Sequence, residues 1–133
     1  MKIMDFLDSN AIAIDLKAGD KEGVMRELVD LLVESGAVSS KDKEKIMGIL
    51  LDRESLGSTG VGQGIGIPHG KTGSIKKLVA ALGISKKGLN FDSLDGEPVY
   101  IVFLLLAPDD SAGPHLKALA RISRLLKDKY LRD

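Results

Sequence analysis

Leu78-Val79-Ala80-Ala81-Leu82-Gly83-Ile84 and Val99-Tyr100-Ile101-Val102-Phe103-Leu104-Leu105-Leu106-Ala107 are apolar at nearly every position. Runs of this kind suit strands covered on both faces. The segment joining them holds Gly88 and the turn pair Asp95-Gly96 and shows no helical pattern. The two strands are therefore predicted to pair antiparallel, because a parallel pair needs a long crossover, usually a helix. Upstream, residues 11–16 alternate, with Ile12, Ile14 and Leu16 on one side, which predicts a short half-buried strand. Asp20 is a natural N-cap for a helix whose stripe is Val24, Leu28, Leu31 and Leu32, with Gly36 as its stop. Ser39 and Asp42 resemble a capping box, although Glu or Gln is usual at the second position. It would open a second helix with the stripe Ile46, Ile49 and Leu50, ending near Gly57. Downstream, Leu116, Leu119, Ala120 and Leu126 give a last helical stripe with Pro114 in its first turn. Helices alternate with strands early, and strands pair directly later. The expected fold is α/β of the mixed α+β kind, a single mixed β-sheet flanked by helices.

The bulk numbers agree with one domain. A chain of 133 residues has the size of a single ordinary domain. With 44% hydrophobic and 29% charged residues it can bury a sizeable core. Nineteen basic residues balance nineteen acidic ones, so the basic excess of a nucleic-acid binder is missing and no nucleic-acid partner is expected. The absence of cysteine removes disulfides, thiolate metal sites and cysteine nucleophiles together. Asp5, Asp8 and Asp15 interrupt the N-terminal region, which lacks the apolar stretch of a signal peptide. The longest apolar run, 99–107, falls far short of the ~20 residues of a membrane helix. A cytoplasmic domain without membrane insertion is expected.

Chemistry concentrates between residues 53 and 73. His69 sits in Ile65-Gly66-Ile67-Pro68-His69-Gly70-Lys71, and Ile67, preceding a proline, should be extended. A short strand containing Ile65 and Ile67 should thus run straight into a loop and leave His69 at its end. There it is either a loop histidine without a role or a reactive group displayed on a rigid scaffold. His115 follows Pro114 at a helix start, where the positive dipole end disfavours the imidazolium. It is either a merely tolerated first-turn residue or a neutral imidazole available as nucleophile or metal ligand. A Walker loop ending in Gly70-Lys71-Thr72 would need its first glycine at position 65, which is Ile65. A dinucleotide fingerprint starting at Gly60, Gly62 or Gly64 would need a sixth-place glycine where Ile65, Ile67 or His69 stands. Neither nucleotide loop is present. Arg53, seven residues after Ile46, could reach over the loop to a phosphate, although a cation near a helix C-terminus is favoured in any case. Asp109 and Asp110 read as turn and capping residues. A metal site of two histidines with Asp109 or Glu54 finds no supporting spacing, and no metal is expected. The alternating charges from Lys41 to Lys45 read as a solvated helix start.

The stretch Arg53-Glu54-Ser55-Leu56-Gly57-Ser58-Thr59-Gly60-Val61-Gly62-Gln63-Gly64-Ile65-Gly66-Ile67-Pro68-His69-Gly70-Lys71 resembles an active-site signature. It is that of the fructose/mannitol-type enzyme IIA domain of the bacterial phosphoenolpyruvate-dependent sugar phosphotransferase system. The Gly-Ser-Thr-Gly and Pro-His-Gly-Lys runs look most like the nitrogen-regulatory member. The likeness continues through residues 98–108 and into His115-Leu116-x-x-Leu119-Ala120. It implies a mixed sheet flanked by helices and a phosphocarrier in which His69 accepts a phosphoryl group from the phosphohistidine of the carrier protein HPr. It also implies that His115 and Arg53 assist transfer or bind the phosphate, and that Ser58, Thr59 and Gly70 shape the site. No cofactor is implied. The output would be regulatory, through target proteins. The alternatives are a sugar-transport enzyme IIA passing phosphate to a separate IIB protein, and an interaction module that exchanges no phosphate. Domains of this type usually continue with a further helical segment, whereas this chain stops at Asp133. The resemblance therefore implies a domain over 1–133 that lacks that segment.

Phosphoryl transfer asks little covalent work of a protein beyond a positioned nucleophile and charge stabilisation. A neutral imidazole with one bare nitrogen, its other nitrogen hydrogen-bonded to fix the tautomer, meets the first need. Arginine, a second histidine and backbone amides meet the second.

Overall fold

The computed structural model describes residues 7–62, 64–93 and 95–109, and the antiparallel pair anticipated from the apolar runs forms the middle of its sheet. In chain order the elements are β1 (Leu7–Ala13), α1 (Lys21–Glu34), a 3-10 turn (Ser40–Asp42), α2 (Lys43–Ser55), β2 (Gly60–Gly62), β3 (Ile65–Gly66), β4 (His69–Thr72), β5 (Val79–Leu89) and β6 (Val99–Pro108). The sheet runs β1-β5-β6-β3-β2, with β4 also on β6. β5 and β6 are antiparallel, with Val79 opposite Leu106 and Ile84 opposite Ile101. β1 is parallel to β5, and β3 and β4 are parallel to β6, so the sheet is mixed as expected. Both faces of the central pair are buried. Val79, Ala81, Val102, Leu104 and Leu106 join Val24, Leu28, Ile46 and Leu50 of the two helices in one cluster. Ala80, Phe103 and Leu105 join Ile65 and Ile67 in a second.

α1 starts and stops where its sequence dictates. Asp20 Oδ1 accepts from Gly23 N at 2.8 Å, satisfying one orphan donor of the first turn. At the other end Gly36 has φ +85°, Ala37 N donates to Leu32 O and Gly36 N to Val33 O. That pair of bonds is the Schellman closure, and glycine adopts its left-handed backbone without strain.

Four local expectations are corrected. The capping box at Ser39 and Asp42 does not form: neither side chain makes a capping bond, and Ser40–Asp42 is a 3-10 turn ahead of α2. An aspartate is one methylene too short to reach back as Glu does in that motif. Lys43 and Glu44 are not merely solvated either, because Lys43 pairs with Asp30 at 2.5 Å and Glu44 with Arg26 at 2.7 Å, tying α2 to α1. The first strand begins earlier than the alternation implied and buries the other phase. Ala11 is fully buried while Ile14 is 71% exposed, because a bend at Ile14 and Asp15 resets the alternation and turns Leu16 inward against Gly83. Finally, His69 does not end a strand but begins one. β3 and β4 follow β6 in a single register, with Ile65 opposite Ile101 and His69 opposite Leu105. Pro68 has no N–H to donate, so a rung is lost there, although its carbonyl accepts from Leu105 N at 2.9 Å and the pairing resumes at His69. Residues 110–133, with His115, Asp110 and the anticipated last helix, lie outside the described residues.

Candidate functional site

β4 packs on α2, and that contact explains one glycine of the loop directly. A Cβ on Gly70 would lie 2.7 Å from Ile49 Cγ2, so only a bare α-carbon lets the strand approach the helix this closely. His69, the residue before it, is half-buried at the start of β4. Its Nδ1 stands 2.8 Å from the carbonyl oxygen of Ile67. A carbonyl only accepts, so Nδ1 carries the proton and, in the neutral ring, Nε2 carries the lone pair. Burial pushes the His69 pKa below the usual histidine value. The bond to Ile67 works against that fall, the positive charge of Arg53 adds to it and the negative charge of Glu54 opposes it. Burial thus favours the uncharged ring.

Arg53 occupies the last turn of α2, where a cation suits the carbonyl end of the helix. Its Nη1 donates to Gly57 O at 2.8 Å, which holds the guanidinium over the chain as it leaves the helix. The guanidinium keeps further N–H donors beyond the one on Gly57.

Ser58 and Thr59 spend their hydroxyls on the loop itself. Ser58 Oγ donates to the carbonyl oxygen of Phe91 and accepts from Gly60 N at 2.9 Å. Thr59 is 3% exposed and gives both its N–H and its hydroxyl to Glu54, at 3.0 and 2.6 Å. The structure thus brings Arg53, Ser58, Thr59, His69 and Gly70 into one region between α2, β4 and the loop leading to β2. His115 is outside the described residues.

The sequence offers Glu54 only as a metal ligand, and its position in the structure is different. Its side chain is 6% exposed and accepts from Lys21 Nζ at 2.9 Å as well as from Thr59. Lys21 lies 3.6 Å from Asp92 Oδ2 and 5.1 Å above the ring of Phe91. Among the described residues no three His, Cys, Asp or Glu side chains converge as a metal site. A signal for Glu54 did exist. It follows Ile46 and Leu50 at four-residue steps along a buried stripe, and an acid in such a place requires partners.

Comparison with known proteins places this geometry. Residues 5–133 match the family model described as phosphoenolpyruvate-dependent sugar phosphotransferase system, EIIA 2. The chain is 40% identical to a nitrogen regulatory protein of Bradyrhizobium diazoefficiens, over 97% of this chain and 82% of that one. It is 39% identical to the fructose-specific EIIABC component of Bacillus subtilis, over 99% of this chain but 20% of the longer protein. Among solved structures, the nitrogen regulatory protein IIA-Ntr of Neisseria meningitidis superposes with a TM-score of 0.87 at 34% identity, covering 98% of this chain and 87% of that one. The IIA–IIB mannitol complex of Escherichia coli shares the fold, with a TM-score of 0.73 at 22% identity, covering 92% of this chain and 84% of that one.

Proposed function

We propose a role for His69 that starts from one established point: the chain belongs to the EIIA 2 family of the phosphoenolpyruvate-dependent sugar phosphotransferase system. It is accordingly a phosphotransferase component, a phosphocarrier working through a phosphohistidine intermediate. In our reading His69 Nε2 is the acceptor and an HPr-type carrier is the donor. The observation that carries this is the 2.8 Å bond from Nδ1 to Ile67 O, which leaves the lone pair on Nε2. Nε2 forms the new N–P bond as the donor's N–P bond breaks, and the donor imidazole leaves with its lone pair restored. Nδ1–H stays in place throughout. The ring gains positive character on phosphorylation, so its bond to the Ile67 carbonyl tightens and holds it. Arg53, with donors beyond the one used on Gly57, meets the phosphoryl oxygens, and His115 assists. Ser58, Thr59 and Gly70 hold the loop and strand in shape.

The output in this reading is regulatory, exerted on target proteins in the cytoplasm. Among the described residues no helix is long and apolar enough to cross a membrane. The nearly equal identity to a fructose-specific component supports a second reading, in which phosphate passes on to a IIB protein. Incubation with phosphoenolpyruvate, enzyme I and HPr should place acid-labile phosphate on His69. His69→Ala should abolish labelling and His115→Ala should slow it. Unlabelled His69 in folded protein, or equal labelling of both variants, overturns the assignment. Addition of a fructose-type IIB protein then separates the two outputs by whether the label moves on.

A further inference from the structure

Glu54 is the one carboxylate of the region that burial and bonding single out. Both of its oxygens are engaged: Oε1 accepts from Thr59 Oγ1, and Oε2 accepts from Thr59 N and Lys21 Nζ. From Thr59 the bonding continues. Thr59 O accepts from Ile67 N at 3.0 Å, and Ile67 O is the partner of His69 Nδ1 at 2.8 Å. Four residues from α2, the loop and the β3–β4 gap thus form one hydrogen-bonded line that ends on the imidazole. Ile67 makes no ladder pair with β6, and two bonds flank its carbonyl: Ile67 N on Thr59 O, and Leu105 N of β6 on Pro68 O at 2.9 Å; the first of them belongs to this line.

We infer that Glu54 is a positioning residue for His69, acting through Thr59 and Ile67, with the partly buried Lys21 as its counter-ion. This rests on the reading of His69 as the phosphoryl acceptor. Without the carboxylate, the buried N–H and hydroxyl of Thr59 lose their acceptor and the turn at 57–60 relaxes. The Ile67 carbonyl then no longer meets Nδ1 in one orientation, and both tautomers of the ring become populated. Among the described residues, charged groups that act on the ring sit on α2, Arg53 and Glu54, while the paired strand β6 brings Leu105 and Leu106 alongside. Lys71 on β4 is exposed, and Lys21 of α1 is spent on Glu54 and Asp92. Loss of the Glu54 charge should therefore also make the ring harder to protonate.

The test reads the unphosphorylated protein by long-range 1H–15N NMR of the His69 ring in wild type, Glu54→Gln, Thr59→Val and Thr59→Ser. Wild type should show the Nδ1–H tautomer. Glu54→Gln should show a substantial Nε2–H population and a lower titration midpoint. Thr59→Val should show a smaller tautomer change, and Thr59→Ser, which keeps the hydroxyl, should restore the wild-type ring. Phosphoryl uptake from HPr should fall roughly tenfold to a hundredfold in Glu54→Gln, the scale of a misplaced reacting group. A purely structural role would lower stability and leave tautomer and midpoint where they are. Wild-type tautomer and midpoint in both Glu54→Gln and Thr59→Val overturn the inference. If Glu54→Gln does not fold, the Thr59 pair decides it. Because the ring is read without phosphate, failure of wild type to accept phosphate would sink the proposed function and leave this result standing.

Discussion

Gly70→Ala tests the contact on which the placement of His69 depends. The new methyl would lie 2.7 Å from Ile49 Cγ2, about 0.7 Å inside ordinary van der Waals contact, which begins near 3.4 Å. Ile49 cannot swing away cheaply, because a β-branched residue in a helix has one strongly preferred χ1. The strand must instead lift from α2, so the overlap belongs at the upper end of overpacking costs, about 3 kcal/mol. Two gains offset it. Gly70 needs no left-handed backbone, so the alanine gains about 0.4–1 kcal/mol from a stiffer unfolded chain. Burial of the methyl gains up to about 0.8 kcal/mol. The net expectation is a loss of about 1–2.5 kcal/mol, measured by urea denaturation. In an Ile49→Ala background the overlap is gone, so the same substitution should be neutral or stabilising, a coupling of at least about 1 kcal/mol. Gly70→Ala with wild-type stability, or the same loss in both backgrounds, would refute the reasoning. Since His69 is the neighbouring residue on β4, a lifted strand should also slow phosphoryl uptake.

His69 should leave a signature in the pH dependence of stability. Burial lowers its folded pKa below the unfolded value of about 6.5, so between the two the unfolded chain binds more protons. Its contribution is complete above about pH 6.5 and is lost as pH falls through the folded value. His69→Gln should therefore lose less stability than wild type between neutral and mildly acid pH, and a pH-independent difference between the two would count against the buried neutral ring. Ser93 Oγ is buried without a hydrogen-bond partner among the described residues and lies against Gly60. Ser93→Ala removes an unsatisfied hydroxyl and should stabilise by about 1 kcal/mol. A calorimetric midpoint unchanged or lowered would show that the hydroxyl is satisfied.

The elements that were legible in the sequence are those whose signals are local. Asp20, Gly36 and the α1 stripe act within a few residues of themselves, and the two apolar runs announce strands buried on both sides. Where a contact distant in the chain decides, the sequence is silent. Nothing near Ser85-Lys86-Lys87 says that β5 continues to Leu89, because the apolar pattern stops at Ile84 while the backbone does not. Nor could the phase of β1 be found from its alternation, since the bend at Ile14 and Asp15 makes Leu16 fill the space left by Gly83. The glycines between 57 and 73 follow the same rule. A Cβ on Gly66 would lie 3.0 Å from the ring of Phe91 and one on Gly70 would meet Ile49, partners lying at a distance in the sequence. His69 and Arg53 were visible because their chemistry is rare and their setting distinctive. Glu54 reads in the sequence only as a possible metal ligand, because its counter-ion Lys21 comes from a distant helix.

Arg53 and Glu54 are adjacent in sequence, and the helix turns them to different surroundings. Neighbouring residues on an α-helix point about 100° apart, so one helix end places a cation at the surface and an anion in the interior. Their charges act on His69 in opposite senses, which leaves burial as the main cause of its neutrality. That division suits a carrier. A ring kept neutral chiefly by Arg53 would have its nucleophile tied to a guanidinium that must later reorganise around a phosphoryl group. A ring kept neutral by its surroundings leaves Arg53 able to respond to the charge that arrives. Glu54, bonded on both oxygens and buried behind the loop, need not move at all. In the proposed function the site would thus divide into a fixed interior that sets the tautomer and a polar exterior that meets the phosphate, with the imidazole between them.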